Sequence, residues 1–251
     1  MKALGRLLGL VLLALLALQL YFAARIALMR VVNPESTAFQ RSEAYLVLKN
    51  TGTLAWRQQW VPYAQVSDHL KRAIIASEDA SFIVHDGVDM EALEKAWEKN
   101  AKAEERAAQA TSRPAAESKS KTPLAAKPPR IIGGSTITQQ LAKNLFLSGE
   151  RTLLRKGQEL LLTLMLEALL DKQRILEIYL NSVEWGEGVF GAEAAARHYF
   201  HKPASRLSAV EAARLAVMLP RPKYFETRIH SGYLASRART ITARMSGVEL
   251  P

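Results

Sequence analysis

Two adjacent carboxylates, Glu78 and Asp79, lie at the start of the segment SEDASFIVHDG, in which Phe82, His85 and Gly87 follow. A carboxylate that is partly removed from water has a raised pKa and becomes a better general base near neutral pH. The segment therefore predicts a catalytic acid or base. A solvated Glu-Asp pair beside a structural histidine explains the same residues, and spacing alone favours that alternative.

A second candidate site begins at the turn GGST, residues 133–136, which leads into a helix that carries Gln140, Lys143 and Asn144. The helix opens with a capping box at residues 136–139. A helix N-terminus presents backbone N–H groups and the positive end of the helix dipole, which suits a phosphate or pyrophosphate. The Gly-Lys-Ser/Thr ending of a nucleotide-binding P-loop is absent. An ordinary capped helix with polar residues facing water remains the alternative.

A third cluster is basic and contains Arg151, Arg155, Lys156 and Glu159. Arg155 lies one helical turn from Arg151 and one turn from Glu159, so the three side chains can share a face. The cluster can complete an anion site, with the carboxylate as its counter-charge. Taken alone, the cluster is better explained as a solvated ion-pair face.

Net charge points away from a nucleic-acid-binding protein. The chain of 251 residues has a formal net charge of +10, but residues 1–30 carry four bases and no acids, and residues 101–130 carry seven bases and three acids. Most of the excess therefore lies in two segments that membrane contact or solvation explains. The absence of cysteine excludes disulfides and thiolate metal sites.

An apolar run near the N-terminus predicts a membrane anchor. Leu7 to Ala24 carries no charge and is bracketed by Arg6 and Arg25; its length is close to the ~20 residues that span a bilayer. We expect an anchor domain at 1–30, while a cleaved signal peptide is the alternative. The bases on both sides leave the orientation signal marginal.

The remaining chain, residues 31–251, is predicted to be a mainly α domain. Residues 44–49 and 56–61 are candidate extended segments, and the pattern becomes helical from Ser67. Helices are expected at 153–170, 173–181 and 192–199, and in a segment that a capping box at 208–211 opens and Pro220 ends.

One segment, residues 99–130, interrupts that pattern. It is rich in Ala, Lys, Ser and Pro and shows no apolar period. Such a composition buries little surface to offset the entropy of ordering the chain. We expect a flexible basic insertion within one domain, because the candidate sites on either side of it belong together.

Taken in order, EDASFIVHDGVD, GGSTITQQLAKN, RKGQE and KQRILEIYLN resemble the successive motifs of glycosyltransferase family 51. The resemblance runs from about residue 61 to 222, and STITQQLAKN with KQRILEIYLN is highly specific. It implies a lysozyme-like α-helical fold. The distance from the last motif to Pro251 leads us to expect a monofunctional member without a transpeptidase domain.

The resemblance implies an enzyme that polymerises lipid II into peptidoglycan strands. Glu78 matches the general base that deprotonates the 4-hydroxyl of the acceptor sugar, which attacks the growing glycan with inversion and releases undecaprenyl pyrophosphate. Glu159 matches the second catalytic carboxylate, which orients basic side chains or helps to place a divalent ion. No cofactor is required, although Mg²⁺ or Mn²⁺ at the pyrophosphate is compatible with the motifs.

The remaining site residues also follow from the resemblance. Those that bind substrate or the leaving pyrophosphate are Ser135, Thr136, Gln140, Lys143, Asn144, Arg151, Arg155 and Lys156. Those that support the first motif are Asp79, Phe82, His85 and Gly87. The expected partners are lipid II, the lipid-linked glycan, the membrane and possible cell-wall synthesis or division proteins. The expected location is the bacterial inner membrane, with one span and the catalytic domain on the periplasmic face.

Two alternatives remain at this point. A lysozyme-like hydrolase or lytic transglycosylase also uses carboxylates, but a retaining hydrolase wants two of them ~5 Å apart, and glycan cleavage has no use for a basic pyrophosphate site. A non-catalytic membrane scaffold with the same fold is disfavoured by the presence of both Glu78 and Glu159.

Overall fold

Helices form most of the structure, as the sequence predicts. The computed structural model describes residues 2–111, 134–147, 149 and 152–251, and for 107–111 the backbone only. The helices within these ranges are α1 Lys2–Leu28, α2 Ala38–Thr51, α3 Asp68–Glu78, α4 Met90–Thr111, α5 Ile137–Phe146, α6 Leu153–Leu169, α7 Lys172–Ser182, α8 Ala192–Phe200, α9 Ala209–Met218, α10 Pro222–Glu226 and α11 Gly232–Met245. The expected mainly α fold is confirmed.

The described chain divides into two compact units, one formed by Met1–Gly87 with Thr136–Pro251 and the other by Val88–Ser135. In the larger unit, α3 packs against α9 and α11, and α5 packs against α2, α6 and α7. One continuous apolar core joins these helices. It positions the last turn of α3, which carries Glu78, and helix α6, which carries Glu159.

The predicted helix boundaries agree with the structure because capping residues define them. Thr136 caps α5, and its side chain accepts a hydrogen bond from the Gln139 backbone amide. The Gln139 side chain in turn accepts a hydrogen bond from the Thr136 backbone amide. Ser208 and Glu211 form the same reciprocal pair at the start of α9. Each box satisfies two amides that a helix end leaves unpaired. The helices α6, α7 and α8 match their predicted spans.

A small sheet completes the larger unit. Strands β1 (Arg57–Gln58), β3 (Val189–Phe190) and β2 (Glu184–Gly186) are ordered β1-β3-β2. β1 runs parallel to β3, and β2 runs antiparallel to β3. The extended segment expected at 56–61 is thus confirmed only at Arg57–Gln58.

The other extended segment, expected at 44–49, is wrong, because these residues lie inside α2. Thr37 and Gln40 form a capping box at the start of α2, and Gly52 ends it in the left-handed conformation with φ of 71°. These local signals fix a helix. The apolar residues misled the prediction, because Tyr45 is 63% exposed and does not belong to the core.

The expectation of an unstructured segment from residue 99 is wrong for 99–111, which continue α4. The helix needs no apolar period there, because alanine, lysine and glutamate favour helix intrinsically. Ion pairs one turn apart support it, between Lys95 and Glu91 and, at 3.6 Å, between Lys102 and Glu98. Residues 112–130 of the predicted insertion lie outside the described residues.

Helix α1 is long and apolar enough to cross a membrane, with a mean hydropathy of 2.4 in its most apolar window. Its C-terminal end is also part of the body of the larger unit. Ile26 is fully buried in the core, and Gln19 and Gln158 of α6 exchange two side-chain hydrogen bonds of 3.0 and 3.1 Å. The Phe22 ring meets the Phe146 ring edge-on at 5.3 Å.

Candidate active site

Glu78 is the last residue of α3, and its carboxylate is half-buried between two donors. The Ser77 hydroxyl donates to Oε1 at 3.0 Å, and Nε2 of Gln140 donates to Oε2 at 3.1 Å. Burial raises the pKa of the Glu78 carboxyl above 4.5 and the adjacent Asp79 charge adds to this, while the two hydrogen bonds act in the opposite direction. The carboxylate is therefore poised to accept a proton and still held in place.

Asp79, the next residue along the chain, is 7% exposed and stabilises the surrounding fold. Its Oδ2 accepts from the Ile137 amide at 2.9 Å, and its Oδ1 contacts Nε2 of His85 at 2.8 Å. Nδ1 of His85 in turn accepts from the Gly87 amide at 3.1 Å. The adjacent carboxylates thus face different surroundings, and Asp79 with His85 fixes the loop that follows Glu78.

The rest of that loop is held just as closely. Phe82 is fully buried, with Nζ of Lys172 4.7 Å from the centre of its ring. Gly87 has φ of 88°, and a Cβ there would lie 2.7 Å from Cγ2 of Thr163. Its carbonyl accepts from the Thr136 hydroxyl at 2.6 Å. These supporting residues therefore anchor the loop to α5 and α6.

The N-terminus of α5 differs from the expectation that its free amides would bind a phosphate. The Ile137 amide is bonded to the Asp79 carboxylate, and the Gln139 amide at 3.1 Å to the Thr136 hydroxyl. Thr136 is 3% exposed. The positive end of α5 therefore already holds an anion, which is the side chain of Asp79. Ser135 is exposed and belongs to the smaller unit.

Three cations gather around Glu159, which is 4% exposed on α6. Glu159 accepts from Nη1 of Arg155 at 2.9 Å and from Nζ of Lys156 at 2.5 Å. Lys143 of α5 reaches solvent, and desolvation lowers its pKa; the Glu159 charge opposes that shift, while Arg155 and Lys156 reinforce it. Three cations around one carboxylate leave excess positive charge, which suits an anion.

Two further residues of the predicted site are Asn144 and Arg151. Asn144, next to Lys143 on α5, is half-buried. Arg151 lies outside the described residues, and its assignment to the leaving pyrophosphate stays a prediction. Nε of Arg155 is a buried donor without a hydrogen-bond partner among the described residues, so part of this guanidinium remains available to an acceptor.

The profile of the transglycosylase family matches residues 47–112 and 123–246, which include all the side chains just described. The chain belongs to the transglycosylase family. A relative from Burkholderia orbicola (strain MC0-3), called a biosynthetic peptidoglycan transglycosylase, is 53% identical over 238 residues, which cover 95% of this chain and 87% of the relative. A protein of the same name from Paraburkholderia xenovorans (strain LB400) is 51% identical over 238 residues, with 95% and 89% covered.

The transglycosylase site also contains side chains that the sequence did not single out. The Tyr179 hydroxyl on α7 donates to Oε1 of Gln140 at 3.0 Å. Lys172 bonds to the His85 carbonyl at 2.6 Å and to Glu167 at 2.9 Å. Both lie in the motif KQRILEIYLN, but only the fold shows that they reach residues 39 to 87 positions away.

Proposed function

We propose that this transglycosylase polymerises lipid II into glycan strands with release of undecaprenyl pyrophosphate, and that Glu78 is its general base. Family membership and relatives at 51–53% identity make the chain a peptidoglycan transglycosylase, an enzyme of cell-wall synthesis. The substrate is therefore a lipid-linked glycan. What we propose beyond this is the identity of three participants: lipid II as the substrate, undecaprenyl pyrophosphate as the leaving group and Glu78 as the base.

The single observation that carries it is the environment of Glu78. A base must ionise at working pH and still bind a proton strongly, and the half-buried carboxylate with a raised pKa meets both needs. Ser77 and Gln140 hold its two oxygens. Asp79 does not compete for the role, because His85 and the Ile137 amide occupy its oxygens.

The basic cluster supports the other half of the reaction. Lys143 lies three residues after Gln140 on α5, a rise of about 4.5 Å along the helix axis. Helix α5 therefore carries both Gln140, which donates to the base, and Lys143, which lies near Arg155 and Lys156 of α6. As the pyrophosphate departs it gains negative charge, and fixed cations stabilise that charge in the transition state.

The proposed step moves one proton and exchanges two bonds. Glu78 accepts the proton of the 4-hydroxyl of lipid II as that oxygen bonds to the anomeric carbon of the growing glycan. The bond from this carbon to the pyrophosphate oxygen breaks on the opposite face, so the configuration inverts. Undecaprenyl pyrophosphate leaves with the electron pair, and its charge is met by the basic cluster.

A divalent cation remains part of the proposal without a dedicated protein cage. Across residues 2–111, 134–147, 149 and 152–251, no group of three or more His, Asp or Glu side chains gathers to hold a metal. Mg²⁺ commonly keeps several waters and is bound through substrate phosphates. Because Glu159 already pairs with Arg155 and Lys156, we assign it the role of orienting these cations.

The proposal places α1 across the bacterial inner membrane and the larger unit at its periplasmic surface. Two observations support an anchor that remains attached. The apolar helix is long enough to span, and its Gln19 and Phe22 contact Gln158 and Phe146 of the body. Lipid-linked substrates would then meet the residues around Glu78 and Glu159 at the surface of the bilayer.

The test uses the full chain in detergent with purified lipid II. Glu78→Gln is expected to lower the polymerisation rate about 10²–10⁴-fold, the usual contribution of a general base, while Glu249→Gln, an exposed carboxylate, leaves the rate unchanged. Polymer and released undecaprenyl pyrophosphate are both measured. A folded Glu78→Gln variant within a few-fold of wild type would show that the base is another group. Cleavage of finished peptidoglycan without polymer formation would instead identify a hydrolase or lytic enzyme.

A further inference from the structure

A cleft lies where α1 leaves its apolar run and the chain turns into α2. Its lining combines the apolar side chains of Leu28 and Val32 with the charged side chains of Arg25, Glu35 and Arg41. Apolar and charged groups together fit the border between acyl chains and headgroups of a bilayer, at the depth where a spanning helix ends. The cleft is separate from the residues around Glu78 and Glu159.

The two arginines of this cleft keep donors available. Arg25 contacts the Tyr21 hydroxyl at 3.4 Å and lies 5.5 Å from the centre of the Phe146 ring. Arg41 bonds to the carbonyl and hydroxyl of Ser36 at 3.0 and 3.1 Å. A guanidinium has five N–H donors, and among the described side chains no carboxylate forms an ion pair with either arginine.

Glu35 decides which phosphate-bearing ligand fits. Its exposed carboxylate lines the same cleft and would repel a headgroup that is only anionic. A headgroup that joins a phosphate to a primary ammonium satisfies all three side chains, since the arginines bind the phosphate and Glu35 accepts from the ammonium. A quaternary choline has no N–H to donate. We propose that this cleft binds the headgroup of a phosphatidylethanolamine molecule.

The test measures lipid selectivity of the full chain in phosphatidylcholine nanodiscs with spin-labelled phosphatidylethanolamine, phosphatidylcholine or phosphatidylglycerol. Because exposed ion pairs contribute about 0.2–1 kcal/mol, the ethanolamine lipid is expected to associate about 1.4- to fivefold more strongly than the choline lipid. Glu35→Gln should bring that ratio to about one and strengthen phosphatidylglycerol binding. Arg25→Gln with Arg41→Gln should weaken the association of all three lipids, because each carries a phosphate.

Lys2→Gln, at the opposite end of α1, is the control and should leave the ethanolamine-to-choline ratio unchanged. An unaltered ratio in Glu35→Gln, or a wild-type preference for phosphatidylglycerol, would overturn the proposed ligand. A ratio of one in the wild type would overturn the site itself. This inference rests on the membrane placement of α1 in the proposed function. None of these variants touches the proposed catalytic residues and the readout is lipid association, so its failure is distinguishable from a failure of the proposed reaction.

A different observation concerns Tyr179, which is 1% exposed beneath the Glu78 carboxylate. Its hydroxyl donates to Oε1 of Gln140, and Nε2 of the same amide donates to Glu78. An amide that receives a proton at its oxygen must point its nitrogen the other way. Burial raises the pKa of the Tyr179 hydroxyl well above 10, with the charge of Glu78 adding to this, so the hydroxyl remains a donor.

We infer that Tyr179 is a positioning residue that turns the Gln140 amide so that its nitrogen faces Glu78. This inference rests on the proposed function. The bond from Gln140 lowers the pKa of the Glu78 carboxyl, so an amide that is free to rotate removes this effect. Tyr179→Phe should therefore shift the acidic limb of kcat/KM for lipid II to higher pH. One net hydrogen bond corresponds to a shift of about 0.4–1 pH unit.

Tyr199→Phe is the matched control, because the Tyr199 hydroxyl donates to the Trp185 carbonyl at 2.7 Å and leaves Gln140 untouched. Its acidic limb should coincide with that of wild type. A Tyr179→Phe limb that also coincides would refute the positioning role, even if the variant is less stable. If Glu78→Gln retains activity, the base role of Glu78 is refuted by that variant alone. A failure of the proposed function is therefore distinguishable from a failure of the positioning role of Tyr179.

Discussion

At the scale of single residues, Glu78 and Asp79 show how neighbouring carboxylates acquire different tasks. Glu78 faces two neutral donors and is desolvated, whereas Asp79 receives a backbone amide and a histidine. The first arrangement favours proton transfer and the second favours a permanent charge. Sequence order cannot separate the two, because the difference arises from partners that the fold supplies.

Asp79→Asn is expected to destabilise the larger unit by about 1.5–3 kcal/mol, the range for hydrogen bonds to a charged group. The asparagine keeps the shape of the side chain but cannot accept at both positions. Urea unfolding of the full chain in detergent measures the change, with exposed Asp86→Asn in the same loop as control. Equal unfolding midpoints for the two variants would refute the anchoring role of Asp79.

Glu184 on β2 predicts a pH-dependent stability. Burial raises the pKa of its carboxyl from 4.5 to about 7, with Lys223 opposing the shift and Glu43 adding to it. The folded state therefore binds a proton that the unfolded state has released. Glu184 consequently lowers the free energy of unfolding as the pH rises from 4.5 to 7, and has no such effect below 4.5.

Glu184→Gln should therefore have a higher free energy of unfolding than wild type at pH 8. The difference should be about 1–3 kcal/mol, since each pKa unit corresponds to 1.36 kcal/mol. The two proteins should converge near pH 4.5. Thermal melts across this range provide the measurement, and exposed Glu187→Gln should follow the wild-type curve. A constant difference at every pH would mean that the mutation acts through packing.

The sequence predicted local structure around the candidate site better than the side-chain contacts. The capped helix α5 and the pair of Arg155 and Glu159 are present as expected, whereas Arg151 lies outside the described residues and the assigned roles stay predictions. The prediction of free backbone amides at the start of α5 was wrong, because Asp79 and Thr136 accept hydrogen bonds from them. Tyr179 was missed because its partner is 39 residues away, a separation that no local pattern encodes.

At the scale of elements, the loop after α3 depends on a close approach to α6. Gly87→Ala places a Cβ 2.7 Å from Thr163 and 3.0 Å from Glu167, at a positive φ that alanine rarely adopts. The added strain and overpacking are expected to cost about 1–3 kcal/mol or more. Unfolding in urea measures this loss.

Gly157→Ala is the matched control, since Gly157 lies within α6 and a Cβ there meets nothing within 4 Å. Alanine in a helix interior should stabilise by roughly 0.5–1 kcal/mol. Opposite signs for the same substitution at 87 and 157 would show that contact, not the loss of glycine, decides the effect. Destabilisation of equal size at both positions would contradict it.

Among the elements themselves, those with strong end signals were predictable. The caps of α5 and α9 were read correctly from the sequence. α2 was missed because its exposed apolar residues imitate a strand. Residues 99–111 of α4 were missed because a solvated helix held by propensity and ion pairs has no apolar period.

At the scale of the whole molecule, the apolar helix and the body share one core. Ile26 is fully buried although the apolar window of α1 has no buried residue. Ile26→Ala is therefore expected to lower the free energy of unfolding by about 2–5 kcal/mol. Leu12→Ala in the same helix, where Leu12 is 67% exposed, should leave unfolding of the body unchanged in detergent. Equal effects of the two would show that α1 acts only as a tether.

Arg174 strengthens this junction, because its Nε donates to the Met29 carbonyl at 2.7 Å and its Nη2 to Asn33 at 2.7 Å. The residues that directly follow α1 are thereby fastened to α7, the helix that carries Tyr179. A spanning helix adjusts to a thinner or thicker bilayer by changing its tilt. In the proposed placement of α1 across the bilayer, these bonds couple it to α7, so a change of tilt would also turn the residues around Glu78. Bilayer thickness would then affect the angle at which these residues face the lipids of their own leaflet.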